Sequence, residues 1–184
     1  GIISGNGNND ETYGIDLYNG NMQVLDNIGI ISSNTSGGSY GINLGDTTVT
    51  YKGNITTLRN GGIISGNDNG YGMYITNGKV GTLENTGVIY GKDAAIKFGD
   101  NFDSREITTL NNYGILVTDG SKAVEGLGKK LTSYGLIIQN ANDGSVTVEA
   151  GDVVIGPIDV IVGYKRTIEN GIAKDIEITR KLTI

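Results

Sequence analysis

The chain has 184 residues, of which 31 are glycine, one is proline and none is cysteine or histidine. The missing cysteine and histidine exclude thiol chemistry and the usual zinc sites. A net charge of −6 without a basic cluster argues against a nucleic-acid-binding surface. Glycine at this level without a three-residue period excludes collagen.

The chain begins with Gly1-Ile2-Ile3, and this phrase of a glycine followed by two aliphatic residues returns five times, at intervals of 21 to 33 residues. A leucine lies four residues before each later glycine, and an asparagine (once Ser133) lies two residues before it. Self-similarity of this kind is typical of a repeat architecture. The leucines are Leu25, Leu58, Leu83, Leu110 and Leu131, and the asparagines are Asn27, Asn60, Asn85 and Asn112.

A second phrase follows the first in each of the early repeats, as in the segments from Tyr13 to Leu17 and from Tyr40 to Leu44. Both phrases alternate with the period of two that is typical of a strand. The segments between them are rich in Gly, Asn, Asp and Ser, which favour turns. Because the phrases are constant while their spacing varies, each repeat is predicted to contain short strands joined by loops of free length.

The asparagines indicate how these strands stack. An alternation that points the leucines inward also points the asparagines inward, where an unpaired amide costs roughly a few kcal/mol. Each amide can donate to its equivalent in the next coil if the coils are parallel, in register and about 4.8 Å apart. The sequence therefore predicts an all-β, right-handed, single-stranded parallel β-helix of about five to six coils.

The pattern divides the chain in two. Residues 1–139 are predicted to be β-helix repeats, and residues 140–184 to be irregular β coils or a C-terminal cap of the same solenoid. Open sheet edges invite pairing with another chain, so end-to-end self-association is expected where no cap blocks them. Because Gly1 already lies inside a repeat, the chain is expected to be a fragment of a longer protein.

The first aliphatic residue after each glycine forms a candidate contact stripe. Strict alternation from the leucine turns these residues outward, where they would dock a partner or another segment of the parent protein. Two alternatives stay open, since a bend after the glycine could break the alternation, or loops could fold over the stripe. The members of the stripe are Ile30, Ile63, Val88, Ile115 and Leu136.

Acidic residues suggest two further sites, and the sequence favours neither. Asp46 and Asp100 follow the second phrase in coils two apart, about 9.6 Å from each other by strand spacing, near the wide end of the range for inverting glycosidases. Gly-Asp after a strand is more often a turn. Asp100 and Asp103 could bind calcium, but a solvated loop is the better interpretation. No catalytic, cofactor-binding or metal-binding residue is therefore predicted.

Taken together, the phrases Leu-x-Asn-x-Gly-Ile-Ile-x-Gly and Tyr-Gly-Ile-x-Leu resemble the passenger domains of bacterial autotransporters, in particular the large repetitive adhesins of fusobacteria and their relatives. The resemblance extends from Gly1 to about Gln139. It implies type V secretion, display at the cell surface, and contact with the outer membrane only through a C-terminal barrel outside this sequence.

The function expected from this resemblance is that of a structural and adhesive segment, whose loops contact surface proteins or glycans of host cells or other bacteria. The longest loops, Ser32 to Tyr40 and Gly45 to Thr57, are the expected contact elements, since loops on rigid scaffolds commonly carry function. Two alternatives stay open, namely a polysaccharide-active β-helix enzyme and a pure spacer without a ligand.

Overall fold

The structure is a computed structural model that describes residues 1–7, 10–48, 50–99, 105–126, 132–139, 141, 147–148, 158–169 and 172–182. Within these ranges the regular elements are β-strands. None of the described residues belongs to a helix that is long and apolar enough to span a membrane. Three residues singled out above, Leu131, Asp100 and Asp103, lie outside the described ranges.

Each turn of the chain forms three strands. The first turn contains β1 (Ile2–Asn6), β2 (Glu11–Leu17) and β3 (Gly20–Asn27), and the second contains β4 (Ile30–Asn34), β5 (Gly38–Leu44) and β6 (Gly53–Asn60). The third contains β7 (Ile63–Asn67), β8 (Gly70–Ile75) and β9 (Gly78–Asn85), and the fourth contains β10 (Val88–Gly91), β11 (Ala94–Phe98) and β12 (Glu106–Asn112). Then follow β13 (Ile115–Thr118), β14 (Val124–Glu125), β15 (Thr132–Ser133), β16 (Leu136–Gln139), β17 (Thr147–Val148), β18 (Ile158–Glu169) and β19 (Ile172–Leu182).

The strands of successive turns stack into three sheets. Sheet 1 has the order β1-β4-β7-β10-β13-β16-β17, sheet 2 the order β2-β5-β8-β11-β14, and sheet 3 the order β3-β6-β9-β12-β15. Neighbouring strands are parallel except β17, which pairs antiparallel with β16. The predicted all-β parallel solenoid is confirmed, but with about four turns instead of five to six. In the fifth turn β14 contains only Val124 and Glu125, so this turn lacks a second strand of full length.

The core is a narrow column of aliphatic side chains enclosed by the three sheets. The second aliphatic residue of each first phrase points inward from sheet 1, and the leucines of the phrase point inward from sheet 3. Leu25, in the first turn, is only partly buried and packs against this column. Equivalent residues lie directly above one another, which keeps the turns in register. The buried residues at these two positions of the phrase are Ile31, Ile64, Ile89, Leu116, Ile137, Leu58, Leu83 and Leu110, and sheet 3 adds Ile55, Val80 and Ile107.

The asparagines of the first phrase lie beside this column and form a hydrogen-bonded ladder. The Nδ2 of Asn27 donates to Oδ1 of Asn60 at 2.8 Å, Asn60 donates in the same way to Asn85 at 2.8 Å, and Asn85 donates to Asn112 at 2.7 Å. The Nδ2 of Asn112 ends the series by donating to the hydroxyl of Ser133 at 3.0 Å. The four asparagines are almost fully buried, so the ladder satisfies amides that would otherwise destabilise the interior.

Glycines let the chain turn from sheet 3 into sheet 1 immediately after the ladder. A methyl group added at Gly62 would overlap the carbonyl oxygen of Gly29. That oxygen accepts a hydrogen bond from the amide of Ile63 at 2.9 Å, so the two backbones cannot separate without losing it. Close backbone approach therefore demands glycine here. The same overlap recurs in the later turns at Gly87, Gly114 and Gly135.

The C-terminal strands β18 and β19 form an antiparallel hairpin beside the solenoid. Its register shifts around Val162, which lies in a β-bulge. Val162 is fully buried in a cluster with Tyr90, Val117 and Ile138, which belong to three successive strands of sheet 1. β18 also contacts β4, β7 and β10. The hairpin therefore packs against the outer face of sheet 1.

Candidate functional site

The residues of the predicted contact stripe lie on the outer face of sheet 1. Each pairs in register with its equivalent in the next turn, and each is partly exposed. The aliphatic residue that follows each of them is buried in the core, so the alternation continues through the glycine. The stripe comprises Ile30, Ile63, Val88, Ile115 and Leu136.

The C-terminal hairpin covers part of this stripe. Val88, Ile115 and Leu136 pack against the cluster that contains Val162, to which Ile178 of β19 contributes. Soluble proteins rarely leave long apolar rows uncovered, and here a segment of the same chain provides the cover. Ile30 and Ile63 are not part of that cluster, and docking of a partner on the stripe stays a prediction.

Replacing Val162 by aspartate is expected to release the hairpin, because a carboxylate at this fully buried position would have no partner. A two-stranded hairpin alone is marginally stable in water. Hydrogen exchange measured by mass spectrometry should therefore accelerate at least about tenfold across β18 and β19, a loss of about 1.4 kcal/mol of local stability. Ile176→Asp is the control, since Ile176 is 43% exposed. Unchanged exchange in Val162→Asp would contradict docking through the bulge.

A stack of tyrosines occupies the outer face of sheet 2. The ring centroids of Tyr13 and Tyr40 are 5.4 Å apart, and those of Tyr40 and Tyr71 are 5.7 Å apart. Tyr74, which lies on β8 together with Tyr71, is 5.3 Å from Tyr40 and 5.2 Å from Tyr71. We call these four residues the tyrosine surface. Aromatic contacts at these separations are favourable, so the rings are held in place before any ligand arrives.

The glycine of the second phrase determines that the preceding tyrosine lies on the outer face of sheet 2. Strict alternation would put Tyr40 on the same face as Ile42 and Leu44, which are fully buried in the core. In the pairing of β2 with β5, Tyr40 and Ile42 have partners but Gly41 between them has none. The alternation of inward and outward side chains shifts by one residue at this glycine. A methyl group at Gly41 would lie 2.6 Å from the carbonyl oxygen of Gly72. Only glycine fits this close approach, and the bend turns the preceding tyrosine outward.

Glu11 links the hydroxyl groups of the first two tyrosines. The Tyr13 hydroxyl donates to Oε2 of Glu11 at 2.6 Å, and the Tyr40 hydroxyl donates to Oε1 at 3.3 Å. Burial, followed by the hydrogen bond and charge of Glu11, raises the pKa of Tyr13 above its ordinary value. Burial and the charge of Glu11 raise the pKa of Tyr40 in the same direction. Both phenols therefore keep their protons at neutral pH and act as hydrogen-bond donors.

A cleft of about 120 Å³ opens between the tyrosine surface and the start of the next loop. Its polar lining is cross-linked, since Asn43 donates to Asp16 at 2.9 Å and Thr76 donates to Asn43 at 3.0 Å. Glu11 and Asp46 add carboxylates, and the described lining residues include no cation. The arrangement offers aromatic edges, phenol hydroxyls and carboxylate acceptors to a ligand. Its chemistry suits polyhydroxylated or cationic groups.

Asp46, one of the two acids considered for catalysis, is held in a turn. Its carboxylate accepts hydrogen bonds from the amide of Thr47 at 2.6 Å and from the Tyr18 hydroxyl at 3.0 Å. Desolvation acts to raise the pKa of Asp46, but the hydrogen bonds from Thr47, Tyr18 and Thr48 together lower it. Its partner in that hypothesis, Asp100, lies outside the described residues. Asp46 is a turn-forming residue in this structure.

The two predicted contact loops differ in exposure. Most of Ser32 to Tyr40 belongs to β4 and β5 and is buried, and only Ser36 and Gly37 are exposed. In the second loop, the described residues from Thr47 to Lys52 are exposed. Gly45 is buried, Asp46 is partly buried, and the rest of the loop belongs to β6. Tyr51 in this loop packs on Tyr18, with centroids 4.6 Å apart. The exposed loop next to the tyrosine surface is therefore the one that follows β5.

Comparison with protein-family models, curated proteins and solved structures found no match to this chain.

Proposed function

We propose that this chain is a structural and adhesive segment of a bacterial autotransporter passenger, displayed at the cell surface, where it contacts proteins or glycans of host cells or other bacteria. The observation that supports the proposal is the tyrosine surface, because its four stacked rings lie outside the aliphatic core of the solenoid. Tyr40 is buried at the centre of the stack, and Tyr13, Tyr71 and Tyr74 around it are partly exposed. The phrases that resemble autotransporter passengers supply the cellular setting.

The tyrosine surface is suited to binding for physical reasons. Tyrosine presents a large contact area and a hydrogen-bonding tip with only two rotatable side-chain bonds, so little entropy is lost when it contacts a partner. The ring stack further restricts Tyr40 and Tyr74. A preorganised surface binds more tightly than a mobile one of the same composition. Binding, and not turnover, is the activity we propose.

Replacing Tyr74 by alanine is expected to weaken binding of the labelled protein to epithelial cells or co-resident bacteria by about tenfold or more, as for an aromatic residue at the centre of an interface. The fold should tolerate the change, because the equivalent positions in neighbouring turns hold Asn43 and Lys97. Binding is measured as a saturable isotherm by flow cytometry. Tyr134→Ala is the matched control, since Tyr134 is exposed and stacks on Tyr113 at 5.3 Å.

Scrambling the loop from Thr47 to Tyr51 tests whether the loop contributes to the same surface. Scrambling Ser32 to Tyr40 would disturb buried residues and so report on folding.

Absence of binding at micromolar concentrations would indicate a spacer. New reducing ends or unsaturated products after incubation with pectic or glycosaminoglycan substrates would contradict the proposal in favour of an enzyme.

A further inference from the structure

The outer face of sheet 3 carries polar side chains in rows that run from turn to turn. One row joins Asn21, Asn54 and Lys79, where Asn54 donates to Oδ1 of Asn21 at 2.9 Å and accepts from the amide of Lys79 at 3.1 Å. The neighbouring positions hold Thr56 on β6 and Thr108 on β12, both exposed. On β9, between these two threonines, the chain has Gly81.

A depression of about 430 Å³ lies in this face around Gly81, where no side chain projects. The depression is built into the backbone, because a methyl group at Gly81 would lie 2.5 Å from the carbonyl oxygen of Thr56. Its walls are Thr56, Thr108, Lys52 and Lys79. The volume falls within the range of about 300–1,000 Å³ that small-molecule sites occupy.

Two ammonium groups give the depression a positive character in a chain whose net charge is −6. Lys79 Nζ lies 3.4 Å from Oε2 of Glu106, and more than half of its side chain is exposed. The ammonium group of Lys79 has three donors, so it can bond to an incoming anion while it keeps its contact with Glu106. Lys52 lines the depression from the loop that precedes β6. Both lysines therefore border the same depression.

We propose that this depression binds a uronic acid unit of an acidic polysaccharide. The carboxylate of the sugar would pair with Lys52 and Lys79, the ring would lie over Gly81, and the ring hydroxyls would bond to Thr56, Thr108 and Asn54. A uronate suits this lining better than a bare phosphate, because hydroxyl and amide groups outnumber the charges. The inference rests on the proposed adhesive function, which brings the chain into contact with surface glycans. It assigns a ligand class to sheet 3, whereas the tyrosine surface lies on sheet 2.

The test is calorimetric titration of the full chain with a galacturonic acid trisaccharide and, in parallel, with the neutral galactose trisaccharide. We expect saturable binding of the acidic sugar only, with an affinity that falls as salt is added. The double variant Lys52→Ala/Lys79→Ala should bind at least about tenfold more weakly, a change of 1.4 kcal/mol. Thr108→Phe, which fills the depression without changing the charge, should weaken binding as well. The variant Lys122→Ala/Lys174→Ala changes the net charge equally elsewhere and should bind normally.

Three results would overturn the inference, namely no binding at millimolar sugar, equal binding of both sugars, or equal weakening by the two lysine double variants. None of them bears on the tyrosine surface. Conversely, failure of Tyr74→Ala to affect cell binding leaves the sugar titration as it stands. The two proposals therefore succeed or fail separately.

Discussion

Replacing Asn85 by alanine is expected to lower the free energy of unfolding by about 3–5 kcal/mol, since each stranded buried polar group costs about 1–3 kcal/mol. Asn85 is fully buried in the middle of the ladder. Its side chain accepts from Asn60, donates to Asn112, and also donates to the carbonyl of Ile115 at 3.3 Å. Alanine would remove the ladder partner of the side-chain amides of Asn60 and Asn112. Urea denaturation followed by circular dichroism measures the loss.

Asn54→Ala is the matched control for this variant. Asn54 makes the same kind of amide contact with the previous turn, to Asn21 at 2.9 Å, but on the outer face, where the bond is exposed. Water can replace the lost partner there, so the expected change is below about 1 kcal/mol. Equal losses in the two variants would show that the ladder is no more important inside the solenoid than outside it.

Replacing Gly62 by alanine is expected to destabilise the protein by more than about 3 kcal/mol, the range associated with severe steric conflict. The new methyl group would overlap the carbonyl oxygen of Gly29, and relieving the overlap would stretch the hydrogen bond from Ile63 to that oxygen. Backbone entropy alone predicts the opposite sign, since alanine is favoured over glycine by about 0.5–1 kcal/mol. The sign of the change therefore separates the two effects.

The preceding residue provides the control in the same dipeptide. A methyl group at Gly61 would have its nearest neighbour, Oγ1 of Thr86, at 3.6 Å, an ordinary contact. Gly61→Ala should therefore be neutral or stabilising by up to about 1 kcal/mol. Thermal melts of the two variants and the parent chain test this. A stable Gly62→Ala protein would mean that the turn can open without cost to the stack.

Parallel stacking could be predicted because the inward asparagine of the Leu-x-Asn-x-Gly phrase needs a hydrogen-bond partner. Only parallel turns stacked in register place an equivalent asparagine beside it. An inward asparagine needs an equivalent amide one turn away, and Asn60 and Asn85 lie within hydrogen-bond distance of each other. The number of turns was harder to predict, since β14 in the fifth turn spans two residues whereas its equivalent in the first turn, β2, spans seven. Strand length depends on pairing, which the phrase alone does not encode.

The position of the tyrosines and the cover over the stripe were not predicted, for two different reasons. The outward turn of Tyr40 depends on a one-residue shift at Gly41, which strict alternation ignores. The hairpin has a local signal in the sequence, because Asn170-Gly171 between two strand-like segments favours a two-residue turn. Its docking on Val117 and Ile138, however, joins segments far apart in the chain. No local pattern reports such a contact.

The hairpin also affects how the solenoid would respond to force. Hydrogen bonds between successive turns run along the stacking direction, so a pull along that axis loads them end-on and would peel the turns apart one by one. β18 lies against β4, β7 and β10, which belong to three successive turns. Because the hairpin contacts several turns, it distributes the load among them. No turn can separate from the stack without first losing its contacts with the hairpin. The hairpin thus couples three successive turns against a load applied along the stacking axis.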